Sequence, residues 1–170
     1  MLQNFITNYP FGDLTEEQKT AIQFLIDKLK FSLIQIPKQQ AYVLATIKHE
    51  TADTYRPIKE LGSPGYLRGK KYYPFIGRGY VQITWEENYR RFGQLLNIDL
   101  VTKPDLALRP EISWVITEIG MVKGIFTGKK LSDYFNETTT DWINARKIIN
   151  KLDKAELIAG YAEKIYMTLL

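Results

Sequence analysis

Apolar residues recur at helical spacing over most of the chain, and the first such stretch begins behind Thr15. The tetrad Thr15-Glu16-Glu17-Gln18 has the spacing of a capping box, in which two side chains bind the free backbone amides at a helix start. One apolar face follows at helical intervals: Ile22, Leu25, Ile26 and Leu29. We predict an amphipathic helix of about 15 residues here.

A second helix is predicted from Pro37, because proline fits the first turn of a helix, where its missing N–H is not needed. The run from 41 to 47 is apolar except for Thr46, so this helix presents hydrophobic residues on all of its faces. A helix of that kind is buried. We therefore expect it to lie in the core.

The pattern changes after Ala52 into a segment rich in glycine and aromatic residues. Five of the eleven glycines lie between Gly62 and Gly79. The aromatic residues of this segment are Tyr66, Tyr72, Tyr73, Phe75 and Tyr80. We predict a loop with short strands around 71–75 and 80–83.

Helical spacing returns after residue 83. Thr84-Trp85-Glu86-Glu87 forms a second capping box with Thr84 as the expected N-cap, and another helix starts at Pro110 and ends near Gly124. Two more helices are expected over 141–150 and from 153 onward. The sequence thus predicts one predominantly α-helical domain over residues 1–170, with an irregular lead-in over 1–14.

Charge and hydropathy argue against several classes of partner. The formal net charge of +4 and the pI near 9.1 favour an anionic partner, but the basic residues are spread out rather than clustered as in nucleic-acid-binding proteins. The longest nearly apolar run, 41–47, is far shorter than the roughly 20 residues that span a bilayer. We expect no nucleic-acid partner and no membrane insertion.

The sequence also limits the chemistry of the protein and the way in which it could be exported. Cysteine is absent and histidine occurs once, so neither disulfides nor a zinc site is expected, and no cofactor is predicted. The first residues lack a basic start followed by an apolar stretch, so we predict no signal peptide and synthesis in the cytoplasm. An extracellular target would then require another export route. A monomer is the default expectation.

Glu50 is the most informative acidic residue. It follows the apolar helix and shares a face with Val43 and Ile47. Burial and the negative end of the helix dipole both disfavour a charged carboxylate there, which suits a general acid. The alternative is that Glu50 points into water where the helix ends.

Glu60 lies ten residues further along, at the start of the glycine-rich segment. Hydrolysis of a glycosidic bond uses two carboxylates, one to protonate the leaving oxygen and one to activate water or attack the sugar. The chain contains 19 acidic residues, so a pair at this spacing also arises by chance. Both interpretations stay open on spacing alone.

Other candidate residues each have a structural alternative. Thr84 fits an N-cap and can also position a water molecule. Gly77-Arg78-Gly79 lacks the spacing of a phosphate-binding loop, so we do not predict one. The loop tyrosines, Tyr72 among them, fit either the core or platforms on which sugar rings stack.

A family resemblance rests on several of these motifs together. His49-Glu50-Thr51, Glu60, Gly77-Arg78-Gly79-Tyr80-Val81-Gln82-Ile83-Thr84-Trp85 and Asn88-Tyr89 resemble glycoside hydrolase family 19, which contains plant-type chitinases and bacterial or phage endolysins. The similarity to the bacterial and phage branch continues through Lys103-Pro104-Asp105-Leu106-Ala107-Leu108, Phe126-Thr127-Gly128-Lys129-Lys130-Leu131, Ala145-Arg146-Lys147-Ile148-Ile149-Asn150 and Ile158-Ala159-Gly160-Tyr161-Ala162. It covers roughly residues 40–165.

This resemblance implies a lysozyme-like α+β fold, with two lobes, a small antiparallel sheet and a cleft between the lobes. It also implies an inverting mechanism in which Glu50 is the general acid, Glu60 is the general base and Thr84 helps to hold the attacking water. Positions that match sugar-contacting residues of the family are Gln82, Asn88 and Asn150. We add Tyr72 to these as a candidate for sugar binding.

Three hypotheses for function follow from the resemblance. The first is an endolysin that hydrolyses β-1,4 linkages of peptidoglycan, because the chain lacks the cysteines and several substrate loops of the plant enzymes. The second is a chitinase that acts on chitin oligomers. The third is a wall-glycan-binding module without catalysis, although binding alone does not require Glu50, Glu60 and Thr84 together. In the first case the protein acts on the wall after release or permeabilisation of the cell.

Overall fold

The computed structural model describes residues 2–170. In chain order, the helices and strands in that range are α1 (Asn4–Thr7), α2 (Glu16–Lys30), α3 (Pro37–Glu50), β1 (Ile58–Lys59), α4 (Pro64–Arg68), β2 (Arg78–Gly79), α5 (Glu86–Leu96), α6 (Pro110–Lys123), α7 (Leu131–Tyr134) and α8 (Ala155–Leu169). Two 3₁₀ segments, Pro104–Leu108 and Asn144–Ile148, complete the regular structure. The predicted predominantly helical class with a small antiparallel sheet is confirmed.

Helix α2 has the predicted start and length. The Thr15 hydroxyl accepts a hydrogen bond from the backbone amide of Gln18 (3.2 Å), and the Gln18 side chain accepts one from the amide of Thr15 (2.9 Å). The helix runs for 15 residues, and its predicted apolar face is buried. The capping box therefore decides where this helix begins.

Helix α3 is the central helix of the core. It begins at Pro37, is buried continuously from Gln39 to Lys48, and ends at Glu50. Its main neighbour is α8, which packs along it. The buried apolar side chains of both helices belong to one contiguous hydrophobic cluster. Glu50 is thus carried to the edge of the core on the most deeply buried helix of the described chain.

The sheet lies beside the glycine-rich segment, but its strands differ from the predicted ones. Strands β1 and β2 pair antiparallel, with Ile58 opposite Gly79 and Lys59 opposite Arg78. The strands predicted at 71–75 and 80–83 are wrong, and the only pairing there is an isolated bridge between Ile83 and Arg78. One reason is that Gln82 adopts a left-handed conformation (φ 55°), which interrupts an extended chain.

The start of α5 also departs from the prediction. Trp85, not Thr84, precedes the first helical residue, and no side chain caps this helix. Trp85 turns the chain with φ 75° and ψ 139°, and the Thr84 hydroxyl instead donates to the carbonyl of Gln82 (3.0 Å). The predicted N-cap role of Thr84 is therefore wrong, which leaves its hydroxyl oxygen free to accept a hydrogen bond.

The remaining helices follow the sequence with two exceptions. Helix α6 starts at Pro110 and ends before Gly124, which adopts the left-handed conformation that favours glycine (φ 70°). The helix expected over 141–150 is only the short 3₁₀ segment, and the lead-in expected to be irregular contains α1. Over the described range, every helix is too short or too polar to cross a bilayer.

Candidate active site

Glu50 is the last residue of α3, and its carboxylate is paired with a buried cation. Its Oε1 accepts a hydrogen bond of 2.6 Å from Nη1 of Arg146, and the two side chains are 16% and 3% exposed. The sequence predicted a carboxyl at the edge of a buried helix, with a side chain that points into water as the alternative. The structure agrees with the first placement and not with the second, because the Arg146 guanidinium of a distant segment covers this end of the helix.

Arg146 belongs to the 3₁₀ segment that precedes α8, between the buried residues Ala145 and Ile148. Its Nε donates to the carbonyl of Asp153 (2.9 Å), which holds the guanidinium in place. Sequence reasoning gave this residue no role. A signal was present, because an arginine between apolar residues at core-facing positions needs an acidic or carbonyl partner.

Tyr42 is close enough to Glu50 and Arg146 for their charges to act on its hydroxyl. Its ring packs 5.3 Å from that of Phe135, and the side chain is fully buried. Burial raises the pKa of its hydroxyl well above the usual range, the charge of Arg146 acts against this shift, and the charge of Glu50 acts with it. The hydroxyl has no hydrogen-bond partner among the described residues.

Glu60 directly follows β1, and both of its carboxylate oxygens are held by neutral donors. The Tyr72 hydroxyl donates to Oε1 (2.8 Å), and the backbone amide of Gly77 donates to Oε2 (3.0 Å). The amide of Glu60 in turn donates to the carbonyl of Gly77 (2.7 Å), which extends the pairing of β1 with β2. The two donors fix the orientation of the carboxylate.

The loop tyrosines divide between the core and the surface. Tyr80 is buried, whereas Tyr66 and Tyr73 are about half exposed. Tyr72 is intermediate, and its pKa is raised by partial burial and by its hydrogen bond to Glu60. Tyr72 is therefore attached to the carboxylate and is not a freely exposed platform.

Trp85 is a residue of this region to which sequence reasoning assigned no role. Its side chain is 52% exposed, and its ring lies edge-on to that of Tyr72 with the centroids 5.1 Å apart. Its backbone conformation is one that bulky residues rarely adopt, and the amide is held by the carbonyl of Phe75 (2.9 Å). Strained backbone of this kind clusters at active sites and ligand clamps, which makes Trp85 a candidate substrate contact.

Gln82 braces the strand pair next to Glu60. Its amide nitrogen donates to the carbonyls of Ile58 (2.7 Å) and Gly79 (3.0 Å). A Cβ on Gly77 would come within 2.7 Å of the Gln82 Oε1, so a larger residue there would displace the end of the Gln82 side chain. The predicted sugar-contacting residue thus lies beside the Gly77 amide that binds Glu60.

Thr84 and Asn88 continue the same group of residues. The Asn88 side chain donates to the carbonyl of Thr84 (2.8 Å), one turn into α5. Both side chains are partly exposed. The structure therefore brings Glu60, Tyr72, Gln82, Thr84 and Asn88 together around β2 and the start of α5.

Asn150 lies with the other carboxylate. Its backbone amide donates to the carbonyl of Arg146 (3.0 Å), and its exposed side chain accepts from the amide of Lys151 (2.8 Å). Arg146 links it to Glu50. The predicted site residues thus form two groups, one at the end of α3 and one around the sheet.

The Gly77-Arg78-Gly79 motif serves the fold. The Arg78 guanidinium is buried, and it donates to Asp105 (2.7 Å) and to the Tyr89 hydroxyl (2.9 Å). Gly79 has φ 92°, and a Cβ there would lie 2.6 Å from the Ser113 hydroxyl. The motif therefore packs the sheet against the 3₁₀ segment Pro104–Leu108 and against α6. Within 2–170, no three acidic or histidine side chains are placed to hold a metal ion.

Solved structures with the same fold are chitinases. A crystal structure of a chitinase C mutant superposes with a TM-score of 0.56 at 21% identity, covering 94% of this chain and 92% of that one. A bacterial family 19 chitinase superposes with a TM-score of 0.55 at 18% identity, covering 99% and 94% of the two chains. The fold is that of the family 19 chitinases. The lysozyme-like architecture implied by the sequence motifs is thereby confirmed.

Sequence similarity to curated proteins covers shorter segments. A chitinase-like protein from Hevea brasiliensis described as inactive is 50% identical over 46 residues, which are 26% of this chain and 14% of that protein. An endochitinase from Arabidopsis thaliana is 45% identical over 84 residues, which are 45% of this chain and 29% of that protein. These matches span less than a third of either relative. No protein-family model matches the chain.

Proposed function

We propose that this protein is a glycoside hydrolase that cleaves β-1,4 linkages of an N-acetylated amino-sugar polymer with Glu50 and Glu60. The observation that carries the proposal is the contrast between the two carboxylates: Glu50 is bound at one oxygen by a buried cation, and Glu60 at both oxygens by neutral donors. Two carboxylates in different surroundings are what glycoside hydrolysis requires. The chitinase fold and the chitinase relatives support the same conclusion.

Glu60 is the general base in this proposal. Its fixed, ionised carboxylate takes a proton from a water molecule as the water attacks the anomeric carbon. The Thr84 hydroxyl, whose proton is directed to the Gln82 carbonyl, accepts a hydrogen bond from that water. An inverting reaction requires space for the water, so the two carboxyl groups are expected to lie about 6.5–9.5 Å apart when substrate is bound.

Glu50 is the general acid. Arg146 binds Oε1, and no described residue forms a hydrogen bond with Oε2; the proposal places the transferred proton on Oε2. As the glycosidic bond breaks, this proton passes to the leaving oxygen. Each turnover therefore moves one proton from Glu50 to the leaving sugar and one from water to Glu60, and solvent restores both groups.

For the substrate, we propose peptidoglycan, and thus an endolysin-like role, with chitin as the second candidate. The net charge of +4 favours an anionic polymer such as the bacterial wall, whereas the named relatives are chitinases and one chitinase-like protein. Because one relative is described as inactive, binding without cleavage is the alternative of another class. Retention of both carboxylates with separate hydrogen-bond partners favours cleavage.

The test compares two substrates with one preparation of the protein. Purified peptidoglycan is followed by loss of turbidity and by mass spectrometry of the new reducing ends, and chitin oligosaccharides are followed by product release. We expect cleavage of peptidoglycan with a single type of new reducing-end sugar. Cleavage of chitin alone would contradict the proposed substrate. Binding of either glycan without any product would contradict the proposed activity.

A further inference from the structure

The six residues that follow Glu50 form a turn with an uncommon backbone. Ala52 (φ 49°), Asp53 (φ 67°) and Tyr55 (φ 55°) all adopt left-handed conformations although none of them is glycine. Such conformations persist only where the surrounding structure holds them in place. This turn, residues 51–56, connects the helix that ends at Glu50 with the strand that precedes Glu60.

Lys48 and Asp53 close the turn. The Lys48 ammonium lies 2.5 Å from Oδ1 of Asp53, and the backbone amide of Asp53 donates to the Lys48 carbonyl (2.9 Å). The Lys48 side chain is only 6% exposed, whereas that of Asp53 is 60% exposed. The backbone and the side chain of Asp53 are thus both fixed to the residue two positions before Glu50.

Three aromatic rings surround the Lys48 ammonium. Their centroids lie at 4.5 Å for Phe11, 4.9 Å for Tyr161 and 5.9 Å for Tyr9. Burial acts to lower the pKa of Lys48, but the hydrogen bond and the charge of Asp53 outweigh it, so the pKa lies above its usual value. Lys48 is therefore charged, and the three aromatic rings and the Asp53 carboxylate take the place of the water that its ammonium has lost.

The N-terminal segment, residues 9–18, supplies further contacts to the same turn. The Tyr9 hydroxyl hydrogen-bonds that of Tyr55 (3.1 Å), the Gln18 side chain donates to the carbonyl of Asp53 (2.9 Å), and Glu17 pairs with Arg56 (2.9 Å). None of these residues lies in the two groups of site residues described above. They contact the turn that connects those two groups.

We propose that Lys48 and Asp53 are positioning residues, which hold the left-handed turn so that Glu50 and Glu60 keep the spacing needed for hydrolysis. The inference rests on the proposed function. Its physical basis is that a displacement of about 1 Å between catalytic groups can cost on the order of 100-fold in rate. The N-terminal segment is then part of the catalytic framework, although it contributes no catalytic residue.

The test uses substitutions that change the charge and keep the shape. Asp53→Asn removes the ion pair, and asparagine tolerates the left-handed backbone as well as aspartate does. Lys48→Met keeps an apolar side chain in the ring of aromatics, and Lys48→Arg restores the charge. The matched control is Asp27→Asn, which removes an exposed ion pair with Lys30 (2.8 Å) on α2.

The kinetic constants kcat and KM are measured well below each melting temperature, on an N-acetylglucosamine hexamer and on solubilised peptidoglycan strands. We expect Asp53→Asn and Lys48→Met to lower kcat at least about 10-fold with KM changed less than about 2-fold. Lys48→Arg should recover part of the loss, and Asp27→Asn should match the wild type. Hydrogen exchange at the Tyr55 amide, which donates to the Thr51 hydroxyl (3.0 Å), should be faster in Asp53→Asn.

The outcomes separate this proposal from the one on which it rests. A wild-type protein that cleaves neither glycan overturns both. A cleaving wild type whose folded Asp53→Asn variant keeps full kcat overturns only the positioning role. A rise in KM at constant kcat also overturns it, because that result would place Asp53 in substrate binding.

Discussion

Arg146 and Glu50 form a buried ion pair, with Nη1 and Oε1 2.6 Å apart, that joins the end of α3 to the segment before α8. The two residues are 96 positions apart in the chain. The Arg146 side chain is almost fully buried and that of Glu50 is mostly buried, so little water is available to replace either partner. Glu50, the proposed acid, therefore also contributes to the stability of the fold, so each Glu50 variant has to be assessed for stability as well as for activity.

Substitution Arg146→Met should destabilise the protein strongly. The methionine fills much of the space, but it leaves the Glu50 carboxylate without its cation, and breaking a buried pair in this way costs about 3–5 kcal/mol. Urea titration of the wild type and of Arg146→Met gives the difference in their free energies of unfolding. The control, Arg90→Met, breaks an exposed pair with Glu86 and should cost less than about 1 kcal/mol. Equal losses in the two variants would show that the Arg146 pair is not buried in solution.

Two substitutions of Trp85 distinguish backbone strain from sugar contact. Trp85→Gly should be more stable than Trp85→Ala by about 1 kcal/mol, because only glycine adopts φ 75° and ψ 139° without strain. Both should raise KM, since both remove the exposed indole beside Tyr72. Thermal unfolding and steady-state kinetics check the two effects separately. An alanine variant as stable as the glycine variant would mean that the backbone relaxes.

The sequence predicted those parts of the fold that depend on local contacts. The capping box at Thr15, the proline starts of α3 and α6, and the buried character of α3 all follow from residues within one helix. The strands could not be predicted, because the pairing of Ile58 with Gly79 depends on the Arg78 and Gln82 side chains, which bind partners elsewhere in the chain.

The candidate site was predictable only in part, for the same reason. The motifs made Glu50 and Glu60 candidates, but the partner of Glu50 lies 96 residues away and no local pattern connects Glu50 with Arg146. At Thr84 the residues of a capping box are present, but no capping box forms, because the backbone turns at Trp85. Sites assembled from distant segments become visible only in the folded chain.

Two tyrosines of the core should respond in opposite ways to the loss of a hydroxyl. The Tyr42 hydroxyl is buried without a partner, so Tyr42→Phe should leave stability unchanged or raise it by about 1 kcal/mol. Tyr89→Phe should lower stability by about 1 kcal/mol, because its hydroxyl donates to the Ile76 carbonyl (2.6 Å) and accepts from Arg78 (2.9 Å). Urea denaturation of both variants measures the difference. A marked loss in Tyr42→Phe would reveal an unrecognised partner.

Stability in acid should depend on Asp105. Partial burial acts to raise its pKa, but hydrogen bonds from Arg78 and Lys59 outweigh it, so the pKa lies below the ordinary value of 3.8. The contribution of Asp105 is therefore fully present above about pH 4 and is lost as the pH falls through the lower pKa of the folded state. Below pH 4, the unfolding free energy of Asp105→Asn should fall less steeply with pH than that of the wild type. Glu163→Gln, an exposed position on α8, should keep the wild-type slope.

The most direct test of the central claim is the rate of glycan hydrolysis by Glu50→Gln and Glu60→Gln, with circular dichroism to establish that each variant is folded. General acid and base assistance each contribute on the order of 100- to 10,000-fold, so we expect losses of that size in kcat for both variants, with Glu163→Gln unaffected. A folded Glu50→Gln or Glu60→Gln variant that hydrolyses peptidoglycan or chitin oligosaccharides at the wild-type rate would contradict the account.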